Sequence, residues 1–506
     1  MVRFEPVIGL EIHVQLKTKT KMFCRCSNRG EYEPPNTAVC PVCLGQPGTL
    51  PVINAKAVEF GVLVGLALGG TITTGSKFDR KQYFYPDLPK GYQISQYDLP
   101  VVKGGAVNVN VPVEGGKRRE IRVRIHRAHL EEDAAKLVHA DDGTASFVDF
   151  NRGGTPLIEI VTEPDMRSPA EAKAFLQELR LIMRYLGVSD ADMEKGHLRC
   201  DANVSIREEG SDVLNPKTEV KNINSFRSVE RALEYEIKRQ TKLALDGKPV
   251  TVLTTRGWDD VRGITVEQRT KEGASDYRYF PEPDLPPLML HELADAMAAR
   301  VPELPEKRRQ RFQEEYGFAE ADSRTFCDDT VLADYAEKVM SELQEWVMSK
   351  AEGDGEKHWA ECKEALARLT AGWILTKLNG VMTERKIDIR TLKTTPEDFA
   401  ELIAMLHRQE VTGPNAYIIL EEMVESGADP SVILKEKNLG RIEDSEELRL
   451  VAGEIIVGNP KVVADWKGGK TNAVQFLVGQ MMKATRGKAP PETARQLIEE
   501  ELKKVS

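Results

Sequence analysis

The sequence predicts an α+β domain followed by two helical domains. Three observations favour this fold class. Apolar runs with a period of two lie in the first part of the chain, and amphipathic helical segments are interleaved with them. After about residue 290 the pattern becomes mostly helical and is interrupted by prolines. Strands mixed with helices are typical of an α+β fold, and a chain of 506 residues suits about three domains.

A β-hairpin is predicted within the first domain. Segment 107–113 alternates valine with asparagine or proline, and segment 121–125 alternates isoleucine or valine with arginine. The intervening stretch Glu114-Gly115-Gly116-Lys117 favours a tight turn. Pro112 cannot donate a ladder hydrogen bond, so the first segment is predicted to be an edge strand.

Two helices are predicted in the same domain. Ser168-Pro169-Ala170-Glu171 supplies an N-cap, a proline at the first helical position and an acid at the third. An apolar stripe follows, and Gly187 ends it. The second helix is expected to begin near Ser225 or Ser228 and to end near Asp246.

The change of pattern predicts the domain bounds. Residues 1–292 are predicted to form the mixed domain, 293–428 a helical domain and 429–506 a smaller helical domain. Leu285-Pro286-Pro287-Leu288 is too rich in proline for a central strand and marks the exit from the first domain.

Composition excludes several classes of protein. The net charge is −10, which argues against nonspecific coating of nucleic acid. No stretch reaches the roughly 18 apolar residues of a membrane span, and the N-terminus lacks the layout of a signal peptide. The count of 7 cysteines is odd, which disfavours a secreted disulfide framework. We therefore expect a cytoplasmic protein that does not enter membranes.

Four of the cysteines are predicted to bind a structural zinc ion. Cys24 and Cys26 are followed after 13 residues by Cys40 and Cys43. Two close pairs joined by a turn-rich loop can place four thiolates around one ion and leave no position open for substrate. The alternative is four unliganded buried thiols, because the first pair is spaced more tightly than usual. Cys200, Cys327 and Cys362 are interpreted as packing residues.

Acidic side chains in apolar strands form the second candidate site. Glu11 and His13 share one face of a predicted strand, while Leu10, Ile12 and Val14 share the other. Glu159 lies in an apolar run where an unpaired charge would be costly, and Glu131 belongs to an acidic triplet after a predicted strand. Clustered carboxylates suit Mg²⁺, especially beside phosphate oxygens. Ordinary salt bridges to nearby arginines are the alternative for each acid.

Two further strands carry polar residues on one face. Asp201 and Asn203 share a face, as do Glu219 and Lys221. Acid, amide and lysine on neighbouring strands could hold a nucleotide and its metal, although a solvated sheet face is the alternative that the pattern favours. No G-x-x-x-x-G-K-[ST] motif occurs, so any nucleotide site is not a P-loop.

Aromatic and basic segments suggest contacts with nucleic acid. Ser76–Tyr92 and Ser275–Asp284 combine tyrosines with basic residues, which can stack on bases; a packed loop is the alternative. Near the C-terminus, six basic residues oppose Asp465: Lys461, Lys467, Lys470, Lys483, Arg486 and Lys488. Such a patch can meet phosphates, or it can be a solvated helical face.

Several long strings resemble one known family in their order along the chain. They are Val7–Leu16, Ser76–Asp87, His129–Ala134, Asn151–Val161, Leu198–Asn203, Tyr277–Asp284 and Phe476–Lys483. Together they resemble the B subunits of tRNA-dependent amidotransferases, the GatB family, over essentially the whole chain.

The resemblance implies a fold and an activity. The fold would be a cradle-like sheet domain similar to glutamine synthetase, a helical domain and a small YqeY-like helical tail. The activity would be ATP-dependent transamidation of Glu-tRNA(Gln) or Asp-tRNA(Asn). The family's B subunits phosphorylate the side-chain carboxylate, and ammonia arrives through a channel from a partner amidase that hydrolyses glutamine. A small third protein would complete the heterotrimer.

The resemblance also assigns residues. His13, Glu131 and Glu159 would hold Mg²⁺, with Glu11 close by as a catalytic residue. Nucleotide binding would involve Asp201, Asn203, Glu219 and Lys221. The tail would bind tRNA through Lys483, Arg486 and Lys488.

One segment departs from the family, and one alternative function stays open. Residues 341–373 are longer than this region usually is, which we interpret as an elaborated helical pair. The competing hypothesis is a noncatalytic, zinc-containing scaffold that binds tRNA.

Overall fold

A computed structural model gives the fold. It describes residues 3–504 except 114, 116, 141, 271–276, 351–353, 443, 444, 469 and 471, and it leaves the side chains of 269, 270, 350 and 445 undescribed. The chain forms two compact units, Met1–Pro305 and Glu306–Ser506. The three predicted domains, with boundaries at residues 292 and 428, remain a prediction. No helix in the described ranges is both long and apolar enough to cross a membrane.

The strands are numbered in chain order. They are β1 Phe4–Gln15, β2 Thr71–Ile72, β3 Gly75–Ser76, β4 Asp79–Gln82, β5 Tyr92–Ser95, β6 Val102–Lys103, β7 Ala106–Pro112, β8 Arg118–Glu132, β9 Lys136–His139, β10 Ser146–Asp149, β11 Pro156–Thr162, β12 Leu198–Glu208, β13 Thr218–Lys221, β14 Thr254–Asp259, β15 Ile264–Thr270, β16 Phe280–Pro281 and β17 Leu288–Met289. All of them lie in the first unit.

The helices are α1 Ala55–Ala67, α2 Pro169–Tyr185, α3 Phe226–Leu245, α4 His291–Ala298, α5 Pro305–Tyr316, α6 Glu320–Cys327, α7 Thr330–Lys350, α8 Gly355–Gly372, α9 Asn379–Arg385, α10 Pro396–His407, α11 Gly413–Ser426, α12 Pro430–Glu436, α13 Ser445–Gly458, α14 Pro460–Lys467, α15 Asn472–Ala484 and α16 Pro491–Lys504. Short 3₁₀ turns cover Gly30–Tyr32 and Ile389–Thr391, and a π-helical stretch covers Trp373–Leu378.

A ten-stranded sheet organises the first unit. Its strand order is β15-β14-β13-β12-β1-β11-β8-β6-β2, and β7 pairs with β8 beside this path. Ile8, Leu10 and Ile12 of β1 are buried with Leu130 and Ile160 in the main hydrophobic core. Helices α1 and α3 pack against β8 and β12. Alternation along the central strands therefore directs apolar side chains towards the core and leaves the other face polar.

The predicted hairpin is confirmed. β7 and β8 pair antiparallel, with Val107 opposite Val123 and Pro112 opposite Arg118. Of the predicted turn, Glu114 and Gly116 lie outside the described residues. The acidic triplet was expected to follow the second strand, but β8 continues through Glu132 because its ladder with β11 extends that far.

The predicted helix ends agree with the structure. The hydroxyl of Ser168 accepts a hydrogen bond from the Glu171 amide at the start of α2, and Gly187 has a φ of +65° after its end. α3 begins after Ser225, whose side chain accepts from the Ser228 amide. These contacts satisfy amide groups that have no partner within the helix.

The second unit is helical and contains two hydrophobic clusters. One includes Phe312, Phe399 and Leu420, and the other includes Leu477 and Ile498. Helices α7 and α8 pack together, which agrees with the predicted helical pair in 341–373; residues 351–353 lie outside the described residues. The structure thus agrees with the predicted α+β fold class.

Candidate functional site

The polar face of the large sheet brings distant parts of the chain together. In the register of β1, β11 and β8, His13 lies opposite Glu159, and Glu159 lies opposite His129. Since every second residue of a strand faces the same side, Glu11 and Glu131 share this face. The predicted alternation of β1 is confirmed, because Leu10 and Ile12 lie in the core on the opposite face.

Short distances join these side chains into one cluster. His13 Nε2 lies 3.3 Å from Glu159 Oε2, 3.6 Å from Glu131 Oε1 and 3.9 Å from Glu11 Oε1. His129 Nε2 lies 3.4 Å from Glu159 Oε2 and 3.5 Å from Glu131 Oε2. Glu159 is only 6% exposed. Three carboxylates therefore converge on two imidazoles in a mostly buried place.

Two overlapping groups in this cluster could hold a metal ion. Their ligand atoms lie within 4.8 Å of one another; the groups are Glu11, His13 and Glu159, and His129, Glu131 and Glu159. Carboxylate oxygens suit Mg²⁺ or Mn²⁺, whereas imidazole nitrogens also suit transition metals. The donor set therefore fits a divalent cation.

Charge interactions and hydrogen bonds favour the ionised form of Glu131 and Glu159. Burial alone would raise the pKa of Glu159, but its charge interaction with His129 and the hydrogen bond from His13 lower it below its ordinary value. The pKa of Glu131 is lowered in the same way, chiefly by its hydrogen bond to His129. Burial would lower the pKa of His13, but the hydrogen bond to Glu159 and the surrounding carboxylates raise it to about 9. Glu11 has a raised pKa because of burial and the nearby Glu159 charge.

His129 was not assigned to the site from the sequence. The sequence contained a signal that could have identified His129, because His129 and Glu131 lie two residues apart on β8, as Glu11 and His13 do on β1. Its Nδ1 is buried and has no hydrogen-bond partner among the described residues. The second imidazole therefore belongs to the same cluster as the predicted His13, Glu131 and Glu159.

The predicted nucleotide-binding residues continue the polar face across β12 and β13. Asp201 lies opposite Glu11, and Asn203 lies opposite both Gly9 and Glu219. Lys221 Nζ forms an ion pair with Asp201 and lies 3.2 Å from Glu219 Oε1. Burial opposes the charge of this lysine, but the two acids raise its pKa above the ordinary value.

One cavity connects the two sets. Its volume is about 350 Å³, and its lining includes His13, Glu131, Asp133, Arg199, Asp201 and Lys221. His13 and Glu131 thus border the same space as Asp201 and Lys221. The other candidates, Glu11, Glu159, Asn203 and Glu219, lie outside its lining. A substrate in this cavity would meet both sets at once.

The four predicted zinc ligands also converge. Sγ atoms of Cys24, Cys26, Cys40 and Cys43 lie within 4.8 Å of one another, and the Cys40–Cys43 distance is 3.9 Å. Tetrahedral thiolates around zinc stand about 3.8 Å apart, as follows from a Zn–S bond of about 2.3 Å. A hydrogen bond from Cys24 lowers the pKa of Cys43 to about 4. The arrangement fits one structural metal ion.

The cysteine loop, residues 24–43, adjoins the strands that carry the acids. The Met22 amide donates to Gly154 O at 2.7 Å, and the Gly154 amide donates to Asp133 O at 2.8 Å. Gly154 precedes β11, and Asp133 follows β8. Consequently, the backbone beside the cysteines is joined to the ends of two strands of the acidic cluster.

The two tyrosine-rich segments pack against each other. Phe280 pairs with Arg80 between β16 and β4, and the ring centroids of Tyr83 and Tyr277 lie 6.3 Å apart in an edge-to-face arrangement. Phe84 is nevertheless 83% exposed. Ser275 and Asp276 lie outside the described residues. The two segments therefore pack together, as the packed-loop alternative expects, but they leave the aromatic side chain of Phe84 exposed to solvent.

The predicted tRNA-binding residues lie in the second unit. Lys483 and Arg486 are exposed, and Lys488 is half-buried. Lys470 Nζ lies 2.9 Å from Asp465 Oδ1, so the single acid of this stretch is paired with one of its cations. The remaining charges leave a local excess of positive charge.

Comparisons with known proteins cover nearly the whole chain. The family model described as the GatB/GatE catalytic domain matches residues 6–294, and the model described as the GatB domain matches 356–502. A protein from Thermomicrobium roseum is 49% identical over 505 residues, and one from Dehalococcoides mccartyi is 48% identical over 508 residues. Each alignment covers 99% of both chains. A protein from Carboxydothermus hydrogenoformans is 44% identical over 509 residues, with both chains covered completely. All three carry the name of the B subunit of aspartyl/glutamyl-tRNA(Asn/Gln) amidotransferase.

Proposed function

The chain belongs to the GatB/GatE family, and we propose that it forms the kinase and amide-forming site of a tRNA-dependent amidotransferase. It is a component of a glutamine-hydrolysing ligase that takes part in transamidation of Asp-tRNA(Asn) or Glu-tRNA(Gln). One observation carries the proposal of a kinase site in this chain. Three carboxylates and two histidines converge beside a cavity that also contains fixed cations.

The chemistry requires two steps. A carboxylate is a poor electrophile, so its oxygen first attacks the γ-phosphorus of ATP. The bond from that phosphorus to ADP breaks, and an acyl phosphate forms. Ammonia then attacks the acyl carbon, phosphate leaves with the carbon–oxygen bonding pair, and loss of a proton gives the amide. The first step depends mainly on positioning and on compensation of charge.

The acidic cluster would hold Mg²⁺ through His13, Glu131 and Glu159. When bound, Mg²⁺ supplies charge compensation for the phosphate oxygens. Glu159 is fixed between His13 and His129, and Glu11 lies at the open side of the cluster, where it is one-third exposed. The carboxylates of Glu131 and Glu159 therefore arrive ionised and oriented, which reduces reorganisation during the transfer, and His13 would release its proton when it binds the metal.

The neighbouring strands would bind the nucleotide. Asp201, Asn203, Glu219 and Lys221 lie on the same face as the acidic cluster. Lys221 is immobilised by its two acids, so it offers a positioned ammonium group. No protein nucleophile is required, because the substrate carboxylate is the nucleophile in the first step.

The cysteine loop would bind one Zn²⁺ that keeps the ends of β8 and β11 in place. The tail would contact tRNA through Lys483, Arg486 and Lys488. Ammonia would come from a partner amidase that hydrolyses glutamine, and a small third protein would complete a cytoplasmic heterotrimer. The relatives are named as one subunit of an enzyme, which supports the expectation of partners.

Substitution of Glu159 by glutamine tests the function. In the reconstituted complex, Glu159→Gln and His13→Ala should abolish ATP-dependent amide formation on misacylated tRNA, while tRNA binding stays unchanged. Glu163→Gln is the matched control, since Glu163 also pairs with a histidine, at 2.9 Å from His126 Nδ1, outside the cluster. Normal amide formation by both cluster variants would refute the kinase site and favour the noncatalytic scaffold.

A further inference from the structure

Arg199 is a cation beside the acidic cluster to which neither sequence pattern nor family resemblance assigned a role. It belongs to β12 and lies directly opposite His13 of β1. Facing residues of antiparallel strands have Cα atoms about 4.5–5.5 Å apart. Arg199 also lines the cavity that contains His13, Glu131 and Lys221. It therefore stands one strand away from the proposed metal ligands.

A buried acid fixes the guanidinium group. Arg199 Nη2 lies 2.8 Å from Asp133 Oδ2, and Asp133 is 3% exposed. The same oxygen accepts a hydrogen bond from Gln15 Nε2 at 2.9 Å. Arg152 lies 3.8 Å away but gives its Nε and Nη2 donors to the carbonyls of Ala134 and Ala135. Asp133 is thus held on several sides and restrains Arg199 in one position.

Arg199 keeps donors that the described residues do not use. Its Nε is buried and has no hydrogen-bond partner among them, and Asp133 is its one ion-pair partner there. Lys221, by contrast, is shared between Asp201 and Glu219. A buried donor without a partner costs free energy, and a bound acceptor would recover it. Among the described residues, Arg199 therefore has fewer direct ion-pair partners than Lys221.

The cavity needs such a group for an anionic substrate. Glu131, Asp133 and Asp201 line it and would repel both ATP and a substrate carboxylate. A planar guanidinium can donate two parallel hydrogen bonds to a phosphoryl group, which an ammonium group cannot do. We propose that Arg199 binds the phosphoryl group while it passes from ATP to the side-chain carboxylate, and that Asp133 is its positioning residue. This proposal rests on the proposed function.

Arg199 has a noncovalent role in the transfer of the phosphoryl group from ATP to the carboxylate. Arg199 keeps its protons and forms no covalent bond; it donates hydrogen bonds to oxygens of the transferring group. The bond between ADP and the γ-phosphorus breaks while the bond to the carboxylate oxygen forms. A fixed cation at this point compensates charge that spreads over the equatorial oxygens in the transition state.

The rival explanation is a purely structural ion pair that joins β12 to the end of β8. Both explanations predict that loss of the pair affects stability. Only phosphoryl binding predicts a specific loss in the chemical step with tRNA binding retained, and a recovery when free guanidinium replaces the missing group. Arg207 provides a matched control on the same strand, because its Nε lies 2.6 Å from Glu5 Oε1 outside the cavity lining.

The experiment compares Arg199→Ala, Arg199→Lys and Arg207→Ala in the reconstituted complex. Acyl phosphate formed without ammonia is trapped with hydroxylamine, and binding of misacylated tRNA is measured separately. Arg199→Ala should slow trapping by about 10²–10³-fold, the usual cost of a lost charge-stabilising donor. Millimolar guanidinium should restore at least one-tenth of the rate. Arg199→Lys should remain at least about 10-fold slow, and Arg207→Ala should behave like the wild type.

Asp133→Asn should lower kcat more than it raises the KM for ATP, because Arg199 stays present but is less firmly held. Trapping by Arg199→Ala within threefold of the wild type would overturn the proposal. A normal trapping rate in Arg199→Lys would also overturn the proposal. This variant provides the test if Arg199→Ala fails to fold. If instead the proposed kinase function is wrong, Glu159→Gln will retain full trapping activity, so the two outcomes can be distinguished.

Discussion

Replacing Lys21 by methionine is expected to weaken zinc binding by the cysteine loop. Lys21 is 0% exposed, and its Nζ lies 3.8 Å from Cys43 Sγ and 3.2 Å from Phe150 O. Four thiolates around Zn²⁺ carry two net negative charges. The ammonium group of Lys21 is the nearest compensating charge that the structure gives to Cys43, so its removal leaves a less favourable site for the thiolates.

The magnitude follows from this distance. Two unit charges 3.8 Å apart interact by about 4 kcal/mol at an effective dielectric constant of about 20. Burial of the ammonium group offsets a large part of this attraction, and methionine, which has a similar length, avoids that cost. A net loss of about 1–2 kcal/mol is therefore expected, which corresponds to roughly 5–30-fold weaker zinc binding.

The assay is competition for zinc with a chromogenic chelator at a fixed pH. Lys19→Met is the matched control, because Lys19 is exposed only two residues away. It should retain the affinity of the wild type. An affinity of Lys21→Met within twofold of the wild type would refute the charge argument, and so would an equal loss in both variants.

The other predictions concern the acidic cluster, the cysteine loop and the tail. His129→Gln should weaken Mn²⁺ binding at the acidic cluster by about 10–100-fold, measured by electron paramagnetic resonance; unchanged binding would exclude His129 from the site. Cys40→Ser should remove about one zinc per chain in metal analysis, while Cys200→Ser should not; equal zinc contents would contradict the ligand set. Neutralising Lys483, Arg486 and Lys488 together should raise the tRNA KM and reduce the salt slope by about 2–3; an unchanged slope would place the phosphate contacts elsewhere.

Local patterns predicted the elements and the faces of their strands. The alternation in segment 107–113 and the cap at Ser168 depend on neighbouring residues, so both are visible in the sequence. For the same reason, the sharing of one face by Glu11 and His13 followed from a period of two. The cysteine cluster was predicted because its four ligands lie within a short stretch of chain.

Contacts between distant strands could not be predicted in this way. His129 and Arg199 enter the site because β8 and β12 lie on either side of β11 and β1 in one sheet. The strand order is not encoded in any local pattern. The burial of Lys21 could not be predicted either, since a lysine in a polar stretch is ordinarily exposed. Its complete burial depends on packing around the cysteine loop.

The register of β11 between β1 and β8 decides whether the site exists. Glu159 is flanked in sequence by Ile158 and Ile160, which belong to the hydrophobic core. A slip by one residue would turn both isoleucines to the polar face and place the carboxylate in the core, where an unpaired charge is very costly. The apolar residues that stabilise the sheet therefore also fix the row of Arg199, His13, Glu159 and His129. The net charge of −10 does not contradict an anionic substrate, because this row places cations next to the acids within one cavity.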